Sequence, residues 1–340
     1  MAQPCALRVV PMKRLTMRLR GPGVVAALLT AVLLVGTAQA AEPNWPPSLT
    51  VATASSGGTY HAYGAGLAQL LTRVLDVPVA ERITEGPIEN IELIESGEVQ
   101  IGFVTMGVAL HGWDGTGNWT HGRRFQSIRA LFPMYDTPFT FAVPKDSSIQ
   151  SFADMAGKRI GVGPKGGTAG AYIPQFLATL KIEAQLVYGT WDDLAAQFEA
   201  GAVDVLAATA GAPFPALAGL DAKKKVRFVP LSQGEIVALR LAMPELAPSV
   251  IPAGIYPSLL KDYRTVGLYN FAVASKDMPN DLAYAIVDAV FANREALVQA
   301  HPAAAATVRA NFSHNGFLPY HPGALRYYSN LATSGALRGD

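Results

Sequence analysis

One device occurs twice in this chain and constrains its fold more than any other feature: an apolar strand that runs through a glycine-rich turn into a helix. Leu49–Ala54 (LTVATA) is apolar enough for a buried strand and leads into Ser55-Ser-Gly-Gly-Thr-Tyr60. A helical pattern follows, with Tyr63, Leu67, Leu70, Leu71 and Val74 spaced along one face of a 3.6-residue period. Val79–Thr84 reads as a second strand. Ile88, Ile91 and Ile94 mark a short helix that Gly97 ends, and Gln100–Thr105 reads as a third strand. Strand, helix, strand, helix, strand is the unit of a parallel sheet, because parallel neighbours need a crossover between them.

The logic then restarts. After a Gly/Trp/Asn-rich loop (His111–Arg124) come two strands, Ile128–Tyr135 and Phe139–Pro144. Ser151-Phe-Ala-Asp154 predicts a capping box on a one-turn helix ended by Gly157. Arg159–Gly163 is a strand, Gly166–Leu180 a loop and helix, and Leu186–Tyr188 a strand. Thr190 caps a helix with Leu194 and Phe198 inward and Gly201 at its end, before a strand over Val203–Thr209. An echo suggests how the two units join. Phe141–Asp146 (FAVPKD) returns as Phe271–Asp277 (FAVASKD), read either as the chain leaving and re-entering one lobe or as chance likeness of two strand ends. A helix over Asp281–Ala300 packs back on the first lobe. The expected architecture is α/β, with two lobes joined by a two-strand hinge. Residues 41–140 and 270–340 form lobe one, and 141–269 form lobe two.

The N-terminus belongs to targeting. Arg8, Lys13, Arg14, Arg18 and Arg20 precede a short uncharged run, Val24–Thr37, and then Ala38-Gln39-Ala40. That order of charge, apolar core and A-x-A site is a secretory signal peptide, residues 1–40, cleaved after Ala40 into the periplasm. The run falls short of the roughly 20 apolar residues of a spanning helix. Cys5, the single cysteine, lies before that run and within the signal peptide, so the mature chain has no thiol for disulfides or metal. Residues 1–40 hold five of the 27 Lys/Arg and none of the 26 Asp/Glu, which leaves 22 against 26 and a net charge of −4. A mildly acidic exported chain is a poor partner for nucleic acid.

Both glycine turns face the carboxyl edge of a parallel sheet, where open α/β folds bind ligands. Helix N-termini there leave N–H groups unpaired and attract negative charge. For Ser55–Tyr60 two readings stand: a cap supplied by Thr59, or a cradle for an anion. Gly161–Gly170 (GVGPKGGTAG) contains G-x-G-x-x-G with Glu183 about 20 residues on, the spacing of a dinucleotide site. Three features oppose that reading: Glu183 precedes the next strand, Pro164 and Lys165 crowd the turn, and the chain is exported. Six histidines show no metal-ligand spacing, and no G-x-S-x-G elbow or nucleophile–base pair is visible. Glu81, Glu85, Asp192 and Asp193 read as solvated or capping carboxylates. Trp113, Trp119 and Trp191 read as loop anchors or core, with the lining of a pocket as the other reading.

At these residues the chain resembles the TAXI family, the extracytoplasmic solute receptors of tripartite ATP-independent periplasmic (TRAP) transporters. Ser55–Gly64 (SSGGTYHAYG) is similar to the family's GGTYY-type signature. Gly86–Val104 resembles its Glu-Asn and Gly-Glu segment, and DMAGKRIGVGPKGGT, Ile251–Pro257 (IPAGIYP) and Tyr320–Tyr328 (YHPGALRYY) also match. His61 stands where a second Tyr is common, and Gly167 where Ser is common. The resemblance covers about residues 48–330. It implies a type II periplasmic-binding-protein fold and a monomeric receptor, with neither catalytic residues nor cofactor. Such a receptor captures a small carboxylate or amino acid, of glutamate or 2-oxoglutarate type, and delivers it to a TRAP permease. A receptor of the same fold feeding a membrane sensor kinase is the alternative. The expected contacts are Ser56, Gly58, Thr59 and Tyr60 from lobe one, with Asn90 and Thr105 at neighbouring edges. Gly167, Thr168 and Ala169 serve from lobe two, and Tyr135, Thr209 and Tyr256 flank the ligand.

Overall fold

The computed structural model describes residues 44–334, so the expected signal peptide and its cleavage site lie outside the described residues. Among the described residues no helix is long and apolar enough to cross a membrane. In chain order the elements are β1 (Leu49–Ala52), α1 (Thr59–Leu75), β2 (Val79–Arg82), α2 (Pro87–Glu95), β3 (Ile101–Thr105), α3 (Met106–Asp114), β4 (Ile128–Pro144), β5 (Arg159–Gly161), α4 (Thr168–Thr179) and β6 (Gln185–Val187). They continue as α5 (Trp191–Glu199), β7 (Val205–Thr209), α6 (Pro215–Ala222), β8 (Val226–Phe228), α7 (Gln233–Ala242), β9 (Ala247–Ile251), β10 (Tyr263–Ser275), α8 (Asn280–Ala292), α9 (Arg294–Ala300) and α10 (Pro322–Ser334).

The strands lie in the order β2-β1-β3-β10-β4-β7-β5-β6, with β8 on β4 and β9 on β10. Two parallel triads flank a central antiparallel pair. In each triad the first strand of its unit, β1 or β5, sits between the second and the third. Each glycine-rich turn therefore leaves a central strand and opens beside the other triad. The central pair is long. β4 runs beside β10 from Ile128↔Ser275 to Pro138↔Gly267, then takes β7 from Phe139↔Thr209 onward. Partner exchange falls at Thr137–Phe139, and this is where β4 passes from one half of the molecule to the other.

Two apolar cores follow from strand alternation. Phe103 and Val104 are neighbours on β3 and point to opposite faces. Phe103 joins Tyr63, Leu67, Leu71, Ile286 and Val290 under α1 and α8. Val104 joins Ile91, Phe139, Phe176 and Leu206 in a core that runs from α2 through β4 into the second triad. Each fully buried Leu or Phe contributes roughly 1.5–3 kcal/mol.

Several expectations are corrected. Val74, at the far end of the α1 stripe, is 42% exposed. The two strands expected around Pro138 are one strand, β4; Pro138 falls next to the point of partner exchange, where a missing N–H is tolerated. The expected loop from His111 overlaps α3, whose Gly107 and Gly112 lower its helix propensity. Gly107 is needed there, because a Cβ would stand 2.1 Å from the Tyr172 hydroxyl of α4. The helix expected over Asp281–Ala300 breaks at Asn293, whose side chain donates to the Ala289 carbonyl at 2.9 Å.

Candidate functional site

The turns before α1 and α4 meet across a cavity of about 40 Å³ at the carboxyl ends of both triads. Of the twelve expected contact residues, nine line it: Gly58, Thr59, Tyr60, Thr105, Tyr135, Gly167, Thr168, Ala169 and Thr209. Three do not. Ser56 faces an outer groove beside Lys165 and Tyr188. Asn90 is fully buried behind the site, donating to the Thr53 and Phe103 carbonyls at 2.8 Å each. Tyr256 stands one layer out, where its hydroxyl accepts the Phe214 N–H at 2.8 Å and so positions a wall residue.

Each helix begins with a glycine N-cap, Gly58 or Gly167, and neither has a side-chain cap. The cap reading of Thr59 is thus corrected. Thr59 is the first helical residue, and its hydroxyl donates across the cleft to the Gly211 carbonyl at 2.8 Å. Thr168 holds the equivalent place on α4, and its hydroxyl shares a hydrogen bond with Thr105 at 3.1 Å. Both side chains are spent on joining the halves, so the first N–H groups of both helices are left to the cavity. A helix start with unpaired N–H groups carries about half a positive charge.

The halves touch closely at one seam. Gly166 N–H donates to the Glu85 carboxylate at 3.0 Å, and Ile88 N–H donates to the Gly166 carbonyl at 3.2 Å. Glycine is required here: Gly86 has φ +136°, and a Cβ on it would lie 3.0 Å from Gly167 Cα. A second set of bonds joins α3 to the other half. Tyr172 donates to Glu245 at 2.9 Å, and His111 Nε2 approaches the same oxygen at 3.2 Å while its ring stacks on Tyr172.

The back wall is a polar knot on the central strand pair. Asn270 of β10 is fully buried and donates to the Tyr135 carbonyl at 2.6 Å and to the Thr137 hydroxyl. Its carbonyl accepts the Tyr60 hydroxyl at 2.6 Å. Two hydroxyls on the wall, those of Tyr135 and Thr209, are buried without a protein partner. Burial, and then the neighbouring Tyr60 and Tyr63, pushes the Tyr135 phenol well above its ordinary range, so it stays protonated and can donate. A buried unpaired hydroxyl costs about 1–3 kcal/mol, and a bound polar group would remove that cost.

Asn270, Thr137, Glu85, Phe214 and Gly211 are wall residues that sequence reasoning missed, and Trp191 takes the pocket-lining place that was its second reading. Asn270 carries a usable signal, a lone amide in the apolar run of β10. Gly211 acts through its backbone carbonyl, which leaves no trace in residue type. The dinucleotide reading meets two obstructions: Trp191 lies 2.5 Å from where a Cβ on Gly163 would be, and Glu85 occupies the Gly166 N–H. His61, one departure from the family signature, pairs with Glu81 at 2.8 Å and does not line the cavity. Among the described residues no group of three or more His, Cys, Asp or Glu is placed to hold a metal ion.

Solved structures share this architecture. The periplasmic binding protein BugD is 13% identical over 86% of this chain and 99% of its own, with a TM-score of 0.56. A structure described as a periplasmic transporter is 14% identical over 87% of this chain and 96% of its own, with a TM-score of 0.53. The two triads about a crossing strand pair are the type II periplasmic-binding-protein fold. The profile of the NMT1-like family matches residues 51–330, most of the chain, and the protein belongs to that family.

Proposed function

We propose that the protein is an exported solute receptor of TAXI type that encloses a small carboxylate between its two halves and delivers it to a TRAP permease. The observation that carries this reading is the convergence of two uncapped helix starts on one cavity whose wall holds the unpartnered Tyr135 hydroxyl. Thr59 and Tyr60 on one side and Thr168 and Ala169 on the other present N–H groups to the anion, while Gly58 and Gly167, whose own N–H groups close their turns on Ser55 and Pro164, let it approach the backbone closely. Thr105, Tyr135 and Thr209 supply hydroxyls. The halves close because a ligand touching both has extra affinity for the closed state. Residues 41–140 with 270–340, and 141–269, then move as the two lobes, bending where β4 and β10 cross. Closure changes the outer surface, which supplies the permease with a signal that cargo is aboard.

Isothermal calorimetry against a panel of small carboxylates, with small-angle scattering on the same samples, tests the reading. Saturable binding with a smaller radius of gyration is expected. Binding confined to neutral sugars or to cations would overturn it.

A further inference from the structure

One contact between the halves comes from a residue that does not line the cavity, His301. This step rests on the reading above of two halves that shut on a ligand. We infer that His301 is a positioning residue: it fastens the loop between β7 and α6 to the opposite half and so seats the cavity wall that this loop supplies.

Ala210, Gly211 and Phe214 of this loop line the cavity. The loop belongs to the second half by sequence, yet it packs on the first. A Cβ on Gly211 would stand 2.6 Å from the Tyr135 ring and 3.0 Å from Ala303 Cβ, so only glycine fits this approach. The Gly211 carbonyl accepts the Thr59 hydroxyl, and just beyond the loop Ala216 N–H donates to the Gly57 carbonyl at 3.3 Å. Pro213 has no N–H, and its carbonyl lies 3.1 Å from His301 Nε2. The next residue, Phe214, ties the loop to its own half through its N–H on the Tyr256 hydroxyl. Its ring stands edge-on to Trp191, another wall residue, with centroids 5.1 Å apart. A shift at Pro213 therefore passes directly to the wall.

The ring itself fixes the direction of the bond. His301 is buried just past the end of α9, and its Nδ1 accepts the Ala303 N–H at 3.1 Å, capping the short turn Pro302–Ala306. A ring nitrogen that accepts carries no proton, so the neutral ring bears its proton on Nε2 and donates it to the Pro213 carbonyl. Burial, against the Pro213 bond, holds the imidazole below its ordinary 6.5, so the neutral form prevails at neutral pH. The two nitrogens serve different ends. Nδ1 works within the first half whether the cleft is open or shut. Nε2 reaches the second half only when it is shut.

Substitution separates the two roles. His301→Asn keeps an oxygen for the Ala303 N–H, but its amide ends one bond short of Nε2. His301→Gln keeps the reach of Nε2 and gives up the cap. The test needs no ligand. Cys5 is the single cysteine and precedes the mature chain. Thr105→Cys with Thr168→Cys, whose hydroxyl oxygens lie 3.1 Å apart, therefore gives one thiol pair that bonds only when the cleft shuts. The equilibrium of this pair with a glutathione redox buffer measures closing, and the urea midpoint of the reduced chain measures folding. Relative to the pair alone, His301→Asn is expected to lower the disulfide equilibrium constant about tenfold, from shutting a carbonyl away from water without its donor, with the urea midpoint unchanged. His301→Gln is expected to keep the constant within about twofold and to lower the midpoint. An unchanged constant in His301→Asn, or Asn and Gln variants that behave alike, would overturn the inference and leave the closing receptor standing. A thiol pair that no glutathione ratio oxidises would overturn both.

Discussion

The turns before α1 and α4 both place glycine at the N-cap and threonine at the first helical position, yet they are anchored to different parts of the molecule. The α1 turn has two bonds across the cleft, from Thr59 to the Gly211 carbonyl and from Ala216 N–H to the Gly57 carbonyl, and one deep anchor on the central strand pair, Tyr60 to Asn270. The α4 turn is held within its own half by Gly167 N–H on Pro164 and Gly189 N–H on Gly163, has no anchor on the central strand pair, and makes three bonds across the cleft, Thr168 with Thr105 and Gly166 with Glu85 and Ile88; farther along α4, Tyr172 reaches His111 through Glu245. The difference separates folding from closing. The Asn270 anchor persists whether the cleft is open or shut. The cross-cleft bonds of the α4 turn exist only while it is shut.

Changes at the α1 anchor should therefore lower stability, and changes at the α4 turn should loosen closure. The largest effect is expected for Asn270→Ala. It strands the Tyr60 hydroxyl, the Tyr135 carbonyl and the Thr137 hydroxyl in the interior, and a loss of about 3 kcal/mol is expected from urea denaturation without ligand. A loss seen only with ligand present would place Asn270 among the closing contacts and break the comparison.

Asp136, on β4 at the crossing, gives a reference that belongs to neither turn. Burial raises its carboxyl from 3.8 to about 6, against the opposing bonds from the Ser249 hydroxyl and the Thr137 backbone. With the folded value above the unfolded one, the folded state binds the proton more tightly. Stability from this group is full below about pH 4 and falls as pH rises through 6. Asp136→Asn should remove that slope and stabilise the protein at pH 7 by on the order of 2 kcal/mol, read as a midpoint shift between pH 4 and 7. Carboxylate affinity should stay as it was; a matching change in affinity would tie the crossing to closure.

Next come the two threonines, compared directly. Thr59→Val leaves the Gly211 carbonyl unpaired and should weaken ligand binding by about 1.5 kcal/mol. Thr168→Val leaves Thr105, whose hydroxyl can rotate toward the ligand, so a loss of about 1 kcal/mol is expected. Calorimetry with the tightest-binding acid ranks them; the reverse order would show that the α4 turn carries the dominant cross-cleft bond.

The smallest effect is expected at Glu245→Gln, about 0.5 kcal/mol, because the Glu245 and His111 side chains are partly exposed and the amide oxygen still accepts the Tyr172 hydroxyl. Burial pushes the Glu245 carboxyl up, but bonds from His111, its own backbone N–H and Tyr172 together hold it below its ordinary 4.5. Its contribution is therefore present above that value and lost as pH falls through the lower, folded one. Scattering of the liganded wild type should show partial opening in that acid range, and Glu245→Gln should open less steeply with pH. Identical profiles would remove Glu245 from the closing contacts.

Local order was legible in the sequence because local rules produce it. The apolar spacing of Tyr63, Leu67, Leu70 and Leu71 marks the buried face of α1. Thr190 caps α5 by accepting the Asp193 N–H, as its sequence position implies. The positions of both glycine turns, each after the first strand of a βαβ unit, follow from the same reading. Tertiary structure decided what local rules cannot reach. The run of β4 through Pro138, the break at Asn293 and the exposure of Val74 depend on which neighbours each residue meets. The cavity depends on them most. Thr59 and Gly211 stand 152 residues apart, and Tyr60 and Asn270 stand 210 apart. They meet because β4 and β10 carry the chain between the halves, so that two similar turns close on one another. Periodicity reports the face a side chain presents, and only the sheet order determines what stands opposite it.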